Sequence, residues 1–524
     1  MDEGGFSSIY MEYWRTNCQT NKMAVELIFI LLSLPIFLLF LFQKHKKTFP
    51  PGPQGLPIIG NIHQYDTSNP PRYLWELSKK YGPLMCLHFG SLPTLIISSA
   101  KMAKEVMKTN DLQFSGRPNL TGQKAFSYKH IDVAFTPYSN YWREMRKICV
   151  IHLFNANRLH QFRPVRENEV SRMIEKISKS ASASEPANLS EIIMSLLCNL
   201  ICRIAFSKRC EDDDGQVERV GNKTRFHHIL AETQAMAGSF FFSDFFPFMG
   251  WVDTLTGKNR RLKKAFEDSD KFYQELVDEH LDPNRPKVDQ QQEDIIDVLL
   301  RIRKNSETKI DLTWKHIKAV LMDVFVAGTD TSVATLVWSM TNLMRNPATM
   351  KKAQEEVRSV AKNKGFVDED DLETLQYLKA VLKETFRLQP PVPLIPRSTA
   401  EECVVDGYKI EAKTLAYVNT LAIGRDSEVW DKPDEFIPER FMGTDCVDFQ
   451  GQHFELLPFG SGRRICPGIS MAMRTLELAL ANLLYKFDWK MPDGMKNEDL
   501  DYDILPGVAM HKKIPLKLMA TKFI

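Results

Sequence analysis

Residues 459–468 read Phe459-Gly460-Ser461-Gly462-Arg463-Arg464-Ile465-Cys466-Pro467-Gly468 and run straight into an apolar helical stretch at 468–485. Three glycines in ten residues let the backbone turn tightly and approach a flat ligand closely. A cysteine just ahead of a helix N-terminus has its thiolate favoured by the helix dipole and by free N–H groups. The adjacent arginines suit carboxylates. A lone cysteine in this setting serves as a soft metal ligand better for haem than for zinc, which takes four protein donors in a structural site. The same ten residues also read as an ordinary glycine-rich loop with an incidental cysteine, and spacing alone leaves both readings open.

Outward from this loop, two further segments stand apart from their surroundings. Ala327-Gly328-Thr329-Asp330-Thr331-Ser332 interrupts an apolar helical run at 312–345, which is around nine turns long. A glycine and four polar residues inside such a helix cost stability. A threonine hydroxyl can bond a carbonyl one turn earlier and distort the ladder, making room for a small molecule. Asp330 and Thr331 together offer a proton path to it; the competing reading is a polar patch meeting another helix. Glu384-Thr385-Phe386-Arg387 places a carboxylate and a guanidinium on one helix face, a pair that most often is only a surface salt bridge.

The fold class follows from periodicity. Apolar residues recur at helical spacing over 102–108, 141–153, 165–177, 189–206, 262–280, 295–302, 348–362 and 378–387, besides the two runs already named. Strand-like alternation is short, at 84–89, 94–98, 404–408 and 414–419. The expected fold is mainly α with small β-sheets (α+β), one large domain with a long central helix. Nine cysteines, an odd number at irregular spacing, argue for a reducing compartment rather than a disulfide scaffold; Cys198 and Cys202 read as small buried residues on one helix face. A net charge of +2, with Lys and Arg scattered along the chain, gives no case for nucleic acid.

The N-terminal part divides four ways from the body. Residues 1–22 are a polar extension without a readable function. Residues 23–43 are almost wholly apolar and approach the ~20 residues that cross a bilayer. Lys44, His45, Lys46 and Lys47 follow. A cleaved signal peptide carries its basic residues before the apolar run, so this span reads as a retained, single-pass anchor that leaves everything after Lys44 in the cytosol. Residues 44–63 form a basic, Pro-rich hinge containing Pro50-Pro51-Gly52-Pro53, and 64–524 the catalytic domain.

Taken together, these segments resemble the cytochrome P-450 family, plant microsomal type. The loop is similar to that family's cysteine-ligand signature at Phe459, Gly462, Arg464, Cys466 and Gly468; residues 327–332 to its oxygen-activation motif; Glu384 and Arg387 to its E-x-x-R pair, with Pro438-Glu439-Arg440-Phe441 completing a triad; and Trp142-Arg143-Glu144-Met145-Arg146 to its W-x-x-x-R element. The resemblance implies heme b (iron protoporphyrin IX) with Cys466 as the iron ligand, Phe459 packed near the thiolate side, and Arg464, Arg146 and Arg397 on the propionates with Trp142 assisting. It implies that Gly328 gives dioxygen space, that Thr331 hydrogen-bonds it, and that Asp330 helps relay protons. It implies endoplasmic reticulum localisation, an NADPH–cytochrome reductase partner, since no dinucleotide fingerprint lies in the chain, and contact with membrane lipid.

Pocket walls are expected, by the same resemblance, from 126–135, 236–242, 323–327, 392–395 and 508–509, chiefly apolar and aromatic, which favours a small hydrophobic or aromatic plant metabolite. Phe240, Phe241, Phe242, Phe245, Phe246 and Trp251 form an aromatic run that either dips into a membrane or packs in the core. The implied reaction is insertion of one oxygen atom from O2 into the substrate. Oxidative rearrangement, ring closure or dehydration is the alternative, and a scaffold without turnover a third. Reductase-dependent product formation separates them.

Overall fold

The computed structural model describes residues 49–210, 219–220, 223–286, 289, 292–305, 308–362, 364–443 and 446–523. The extension, the anchor span and the basic cluster expected at 1–22, 23–43 and 44–47 lie outside them. Residues Pro50–Ile524 form one compact unit.

Eight helices position the site: α1 (Asn140–Ile148), α2 (Arg163–Ser182), α3 (Leu189–Phe206), α4 (Lys258–Leu281), α5 (Trp314–Arg345), α6 (Pro347–Ala361), α7 (Gln376–Leu388) and α8 (Ile469–Lys486). Their ends follow local chemistry. Ser139 accepts a hydrogen bond from the Trp142 N–H and caps α1. Thr313 and His316 satisfy each other's backbone donors at the start of α5. Pro347 occupies the first turn of α6, where its missing N–H costs nothing. Helix α5 is 32 residues long, about 48 Å at 1.5 Å per residue, and passes through the middle of the fold against α3, α7 and α8. Both α3 and α5 are apolar enough to cross a bilayer, but most of each is buried inside this unit. Their hydrophobicity is that of core helices.

The strands that frame the site are β1 (Leu84–Phe89), β2 (Leu92–Ile97), β3 (Ala187–Asn188), β4 (Leu394–Ser398), β5 (Leu415–Asn419), β6 (Phe487–Lys490), β7 (Ile504–Leu505), β8 (His511–Lys512) and β9 (Lys517–Lys522). A four-stranded sheet runs β1-β2-β5-β4, and a three-stranded one runs β6-β9-β3. The Pro-rich segment lies along the outer edge of β1: Cys86 N donates to Pro51 O at 2.9 Å and Asn61 N to His88 O at 2.7 Å.

Helix-dominated architecture with small sheets matches the sequence reading, and so do most element positions. Three differences are informative. The strand expected at 404–408 is a hairpin, Cys403–Val405 with Tyr408–Ile410, because Asp406 and Gly407 both take positive φ. Strand β4 lies in a proline-rich stretch that gave no alternation; its pairing with β5 is a tertiary decision. The aromatic run divides. Phe241 is fully buried, whereas Phe248, Trp251 and Leu255 are 94%, 60% and 76% exposed, so the same stretch supplies both core and an apolar surface. Cys198 and Cys202 are buried on α3, as expected.

The ion pair between Glu384 and Arg387 is not at the surface. Arg387 Nε and Nη2 each lie 2.7 Å from the Glu384 carboxylate with both side chains inaccessible. Arg440 Nε adds a third contact at 3.3 Å, and Ile437 N donates to Glu384 Oε1 at 2.8 Å. Arg387 also holds the carbonyls of Gly424, Pro433 and Glu435, so one guanidinium ties α7 to the segment leading to the cysteine loop. Breaking a buried pair from one side leaves an uncompensated charge and costs about 3–5 kcal/mol. Glu384→Ala is expected to lower the unfolding free energy read from urea denaturation by about 3–5 kcal/mol, and Arg387→Lys, which cannot make the bidentate pair, to lower it as well. An unchanged denaturation curve for both would refute the locking role.

Candidate functional site

The cysteine loop is shaped by close approach. Gly462 has φ +69°, and a Cβ there would sit 2.5 Å from both Asp111 Oδ1 and Met107 O; a glycine is required on both counts. Asp111 then accepts from the Arg463 backbone and side chain, the latter at 2.7 Å, and fastens the loop to the helical segment before it. Cys466 N donates to Phe459 O at 2.9 Å, folding the loop back on itself. Gly468 N donates to Cys466 Sγ at 3.4 Å. The thiol is free and partly buried at the foot of α8. Burial pushes its pKa up, while the Gly468 N–H and the charge of Arg146 pull the other way, so a cationic metal is the natural stabiliser of the thiolate. Phe459 packs edge-on against Phe386 at 5.5 Å and tilted against Phe449 at 5.3 Å.

Beside the loop stands a group of arginines. Arg464 lies over the Trp142 ring at 4.2 Å and donates to Ser115 O and Thr136 O. Arg146 lies over the same ring at 5.5 Å and donates to Ile465 O. Trp142 Nε1 donates to Val133 O at 2.9 Å. Arg397, on β4 and 1% exposed, donates through Nη2 to Ser461 O, but its Nε and Nη1 are buried without a partner. The sequence reading missed a fourth member, Arg117, which donates to Ala134 O and Pro396 O. No motif marks Arg117; it joins the group because Gly116 pairs with Ser398 of β4.

Among the described residues none of the four forms an ion pair with a carboxylate. Burial, reinforced by the neighbouring arginines, pushes Arg464 down to about 8, Arg397 to about 9 and Arg117 to about 10, and burial lowers Arg146 as well. Guanidinium groups keep their proton near neutrality. The pressure is therefore for an anion rather than for deprotonation, and two orphaned donors on Arg397, each costing about 1–3 kcal/mol if unmet, mark where it binds. A planar dianion carrying a thiol-seeking iron satisfies the cysteine and the arginines together; haem fits this site.

The polar segment of α5 presents the opposite element. The hydroxyl of Thr331 donates to Ala327 O at 2.8 Å, yet the helix is unbroken through this turn, so the expected distortion of the ladder is absent. Ala327 is exposed in the middle of a mostly buried helix, and Asp323, Gly328 and Thr331 are half-buried around it. A Cβ on Gly328 would come 2.9 Å from Ile201 Cδ1 of α3. Its missing side chain thus serves the approach of α3 to α5. Asp330 Oδ1 lies 2.5 Å from His511 Nε2 on β8, a partner that the sequence reading, stopping at 508–509, did not include.

Several of the expected pocket walls meet in pairs. Asp323 accepts from the backbone of Val133 and Ala134. Gly238 approaches Val508. Ile395 comes within reach of Gly460 in the cysteine loop, and Met510 N bonds Pro391 O at 3.0 Å.

A mainly helical body with one sulfur donor, an arginine cluster for a dianion and an uncovered polar turn on its central helix defines the class of haem-thiolate oxygenases. The sequence profile described as Cytochrome P450 matches residues 50–518. A 5-OH-xanthotoxin synthase of Pastinaca sativa is 49% identical over 95% of this chain and 99% of its own length. A 6,7,8-trihydroxycoumarin synthase of the same plant is 48% identical over 95% and 98%, and a strychnine-11-hydroxylase of Strychnos nux-vomica 47% identical over 96% and 98%. A solved zebra fish cytochrome P450 with abiraterone superposes with TM-score 0.70 at 24% identity, covering 87% of this chain and all of that one. The chain belongs to the cytochrome P450 family, of the plant microsomal type, and is a haem b monooxygenase whose relatives act in specialised metabolism.

If the arginines hold the propionates, Arg397→Gln and Arg464→Gln are each expected to speed haem transfer to apomyoglobin about 10- to 100-fold, the loss of one charge-assisted contact of ~1.5–3 kcal/mol. Transfer at the wild-type rate in both variants would remove the cluster from haem binding.

Proposed function

We propose that this protein inserts one atom of dioxygen into a small hydrophobic or aromatic plant metabolite, with electrons from NADPH delivered by a membrane reductase. Bound haem b supplies the redox-active iron that activates dioxygen, the second oxygen atom leaving as water. Cys466 is the residue on which the reading rests: a free, partly buried thiol with an N–H directed at its sulfur, beside arginines in need of an anion. Its thiolate would be the protein donor that holds the iron of bound haem. The Gly468 N–H and the Arg146 charge favour the thiolate against the burial that opposes it. Arg464, Arg397 and Arg146, together with Arg117, fix the propionates, and Trp142 braces two of them by cation–π contact.

On the polar turn of α5, Thr331 is half-buried beside the exposed Ala327. Rotation of its hydroxyl away from Ala327 O turns a donor toward that uncovered face. Asp330, next in the chain and nearly buried, is the acid that renews the proton. Substrate rests against the apolar walls where 126–135, 236–242, 392–395 and 508–509 converge. Two relatives are named for hydroxylated coumarins, which favours a flat oxygen-bearing aromatic.

Residues 23–43 anchor the chain in the endoplasmic reticulum membrane by a single pass, with the body in the cytosol. The exposed Phe248, Trp251 and Leu255 rest on the lipid surface. The stretch before them is pinned to the β1–β2 turn through Ser91 N and Phe245 O at 3.0 Å.

The experiment is a coumarin, furanocoumarin and alkaloid panel with full-length protein in reductase-containing microsomes, read by mass spectrometry. The expected result is an NADPH-dependent product sixteen mass units heavier from at least one coumarin, about one oxygen atom per turnover. It should vanish in Cys466→Ala together with the thiolate-type carbon monoxide band. A retained band in Cys466→Ala, or product without reductase, contradicts the reading. Thr331→Ala is expected to keep that band and release several-fold more peroxide per NADPH; unchanged coupling would take the hydroxyl out of proton delivery.

A further inference from the structure

The hydrogen bond between Asp330 and His511 joins the central helix to the C-terminal strands, 181 positions apart in sequence. Its two ends differ in access. The Asp330 side chain is 9% exposed and that of His511 is 23% exposed, so the imidazole reaches from the buried turn toward water. Its strand is held rigidly in place. Trp338 Nε1 of α5 donates to Met510 O at 2.7 Å, Met510 N donates to Pro391 O at 3.0 Å, and β8 pairs with β7 through Leu505 opposite His511. Position 511 is thereby fixed against α5 one turn from the exposed Ala327.

The charges around the pair are otherwise committed. Lys512, the next residue on β8, bonds Asp501 Oδ2 at 2.7 Å and lies over the Trp338 ring. Asp503, beside β7, bears no ion pair to the imidazole, and its carbonyl accepts from Lys513 N. Arg345, at the far end of α5, donates to the carbonyls of Glu498 and Leu500 and lies over Tyr502. Asp323, seven residues before Asp330 on α5, is taken up by Val133 N and Ala134 N. The 391–395 stretch contributes no titratable side chain. His511 is therefore the group that balances the Asp330 carboxylate in this structure.

We infer that His511 is a positioning and proton-supplying residue for the oxygen reaction: it passes protons from solvent to Asp330, at the uncovered turn of α5. The inference rests on the proposed role of Asp330. The step moves one proton and no electrons. The N–H bond at His511 Nε2 breaks as an O–H bond forms at Asp330 Oδ1; the neutral imidazole regains a proton from water, and the carboxyl group turns to release its proton on the Thr331 side. Imidazole suits the task because its charge changes between about pH 5 and 8, whereas a carboxylate enclosed without it has no titrating link to water.

The test uses full-length protein in reductase-containing microsomes with NADPH and no added organic substrate, reading peroxide released per NADPH from pH 5 to 8. In the wild type the ratio is expected to rise with pH across this range. His511→Gln should raise it several-fold at the acid end and flatten the profile, with the thiolate carbon monoxide band intact. His511→Arg keeps a cation opposite Asp330 but cannot titrate. A merely structural strap would leave this variant like the wild type, whereas a relay predicts a flat profile, and this variant decides the matter if the glutamine protein does not fold. Asp330→Asn is the control for the underlying reading. If it alone departs from the wild type, the His511 inference fails and the Asp330 role stands; if it behaves as wild type, both fail. A flat wild-type profile, or a wild-type slope in His511→Arg, overturns the inference.

Discussion

Uncompensated positive charge inside the fold is the constraint around which the site is arranged. Arg464 and Arg397 are buried, Arg117 and Arg146 half-buried, and none draws a carboxylate partner among the described residues. A protein interior tolerates such a group only with hydrogen-bond acceptors and a counter-charge nearby. Backbone carbonyls of Ser115, Val133, Ala134, Thr136, Pro396, Ser461 and Ile465 supply the acceptors. These seven carbonyls come from three separated stretches of chain, so the arginines organise the loop before α1, strand β4 and the cysteine loop into one wall. The counter-charge they call for is that of an anionic ligand such as haem.

That wall explains why the cysteine loop has the sequence it has. Gly462 is required by Asp111 and Met107, Arg464 by the wall itself, and Cys466 by its place between Phe459 O and Gly468 N. The Glu384–Arg387 lock acts at one remove. It touches no ligand-facing atom, but it fixes the carbonyls of 424, 433 and 435 and with them the approach to residues 459–468. A buried ion pair of this kind contributes specificity of arrangement more than net stability.

Helix α5 pays in stability for its polar turn. Thr329, Asp330 and Ser332 are buried in it, and the Thr329 hydroxyl has no hydrogen-bond partner. The packing of α3, made close by Gly328, supports this turn from behind, while β8 supports it from the C-terminal side through His511. The uncovered face at Ala327 thus lies on a helix held from two directions, which keeps a reactive surface open without loosening its frame.

Much of this was legible in the chain. Helical periodicity places α3 at 189–206 without error and α5 within two residues, because long amphipathic or wholly apolar runs have few alternative conformations that bury them. The ten residues around Cys466 announce a ligand because glycine, arginine and cysteine serve there by local chemistry. The sequence could not reveal Arg117, His511, strand β4 or the close approach of Gly328 to α3. In each case the deciding contact lies between residues distant in the chain: Gly116 with Ser398, Asp330 with His511, Ile395 with Val418, Gly328 with Ile201. Local propensity determines which elements form and which residues carry chemistry. Which charge faces which, and which glycine makes room for what, is decided only when packing brings separate elements within a few ångströms, since hydrogen bonds and steric contacts act only at that range.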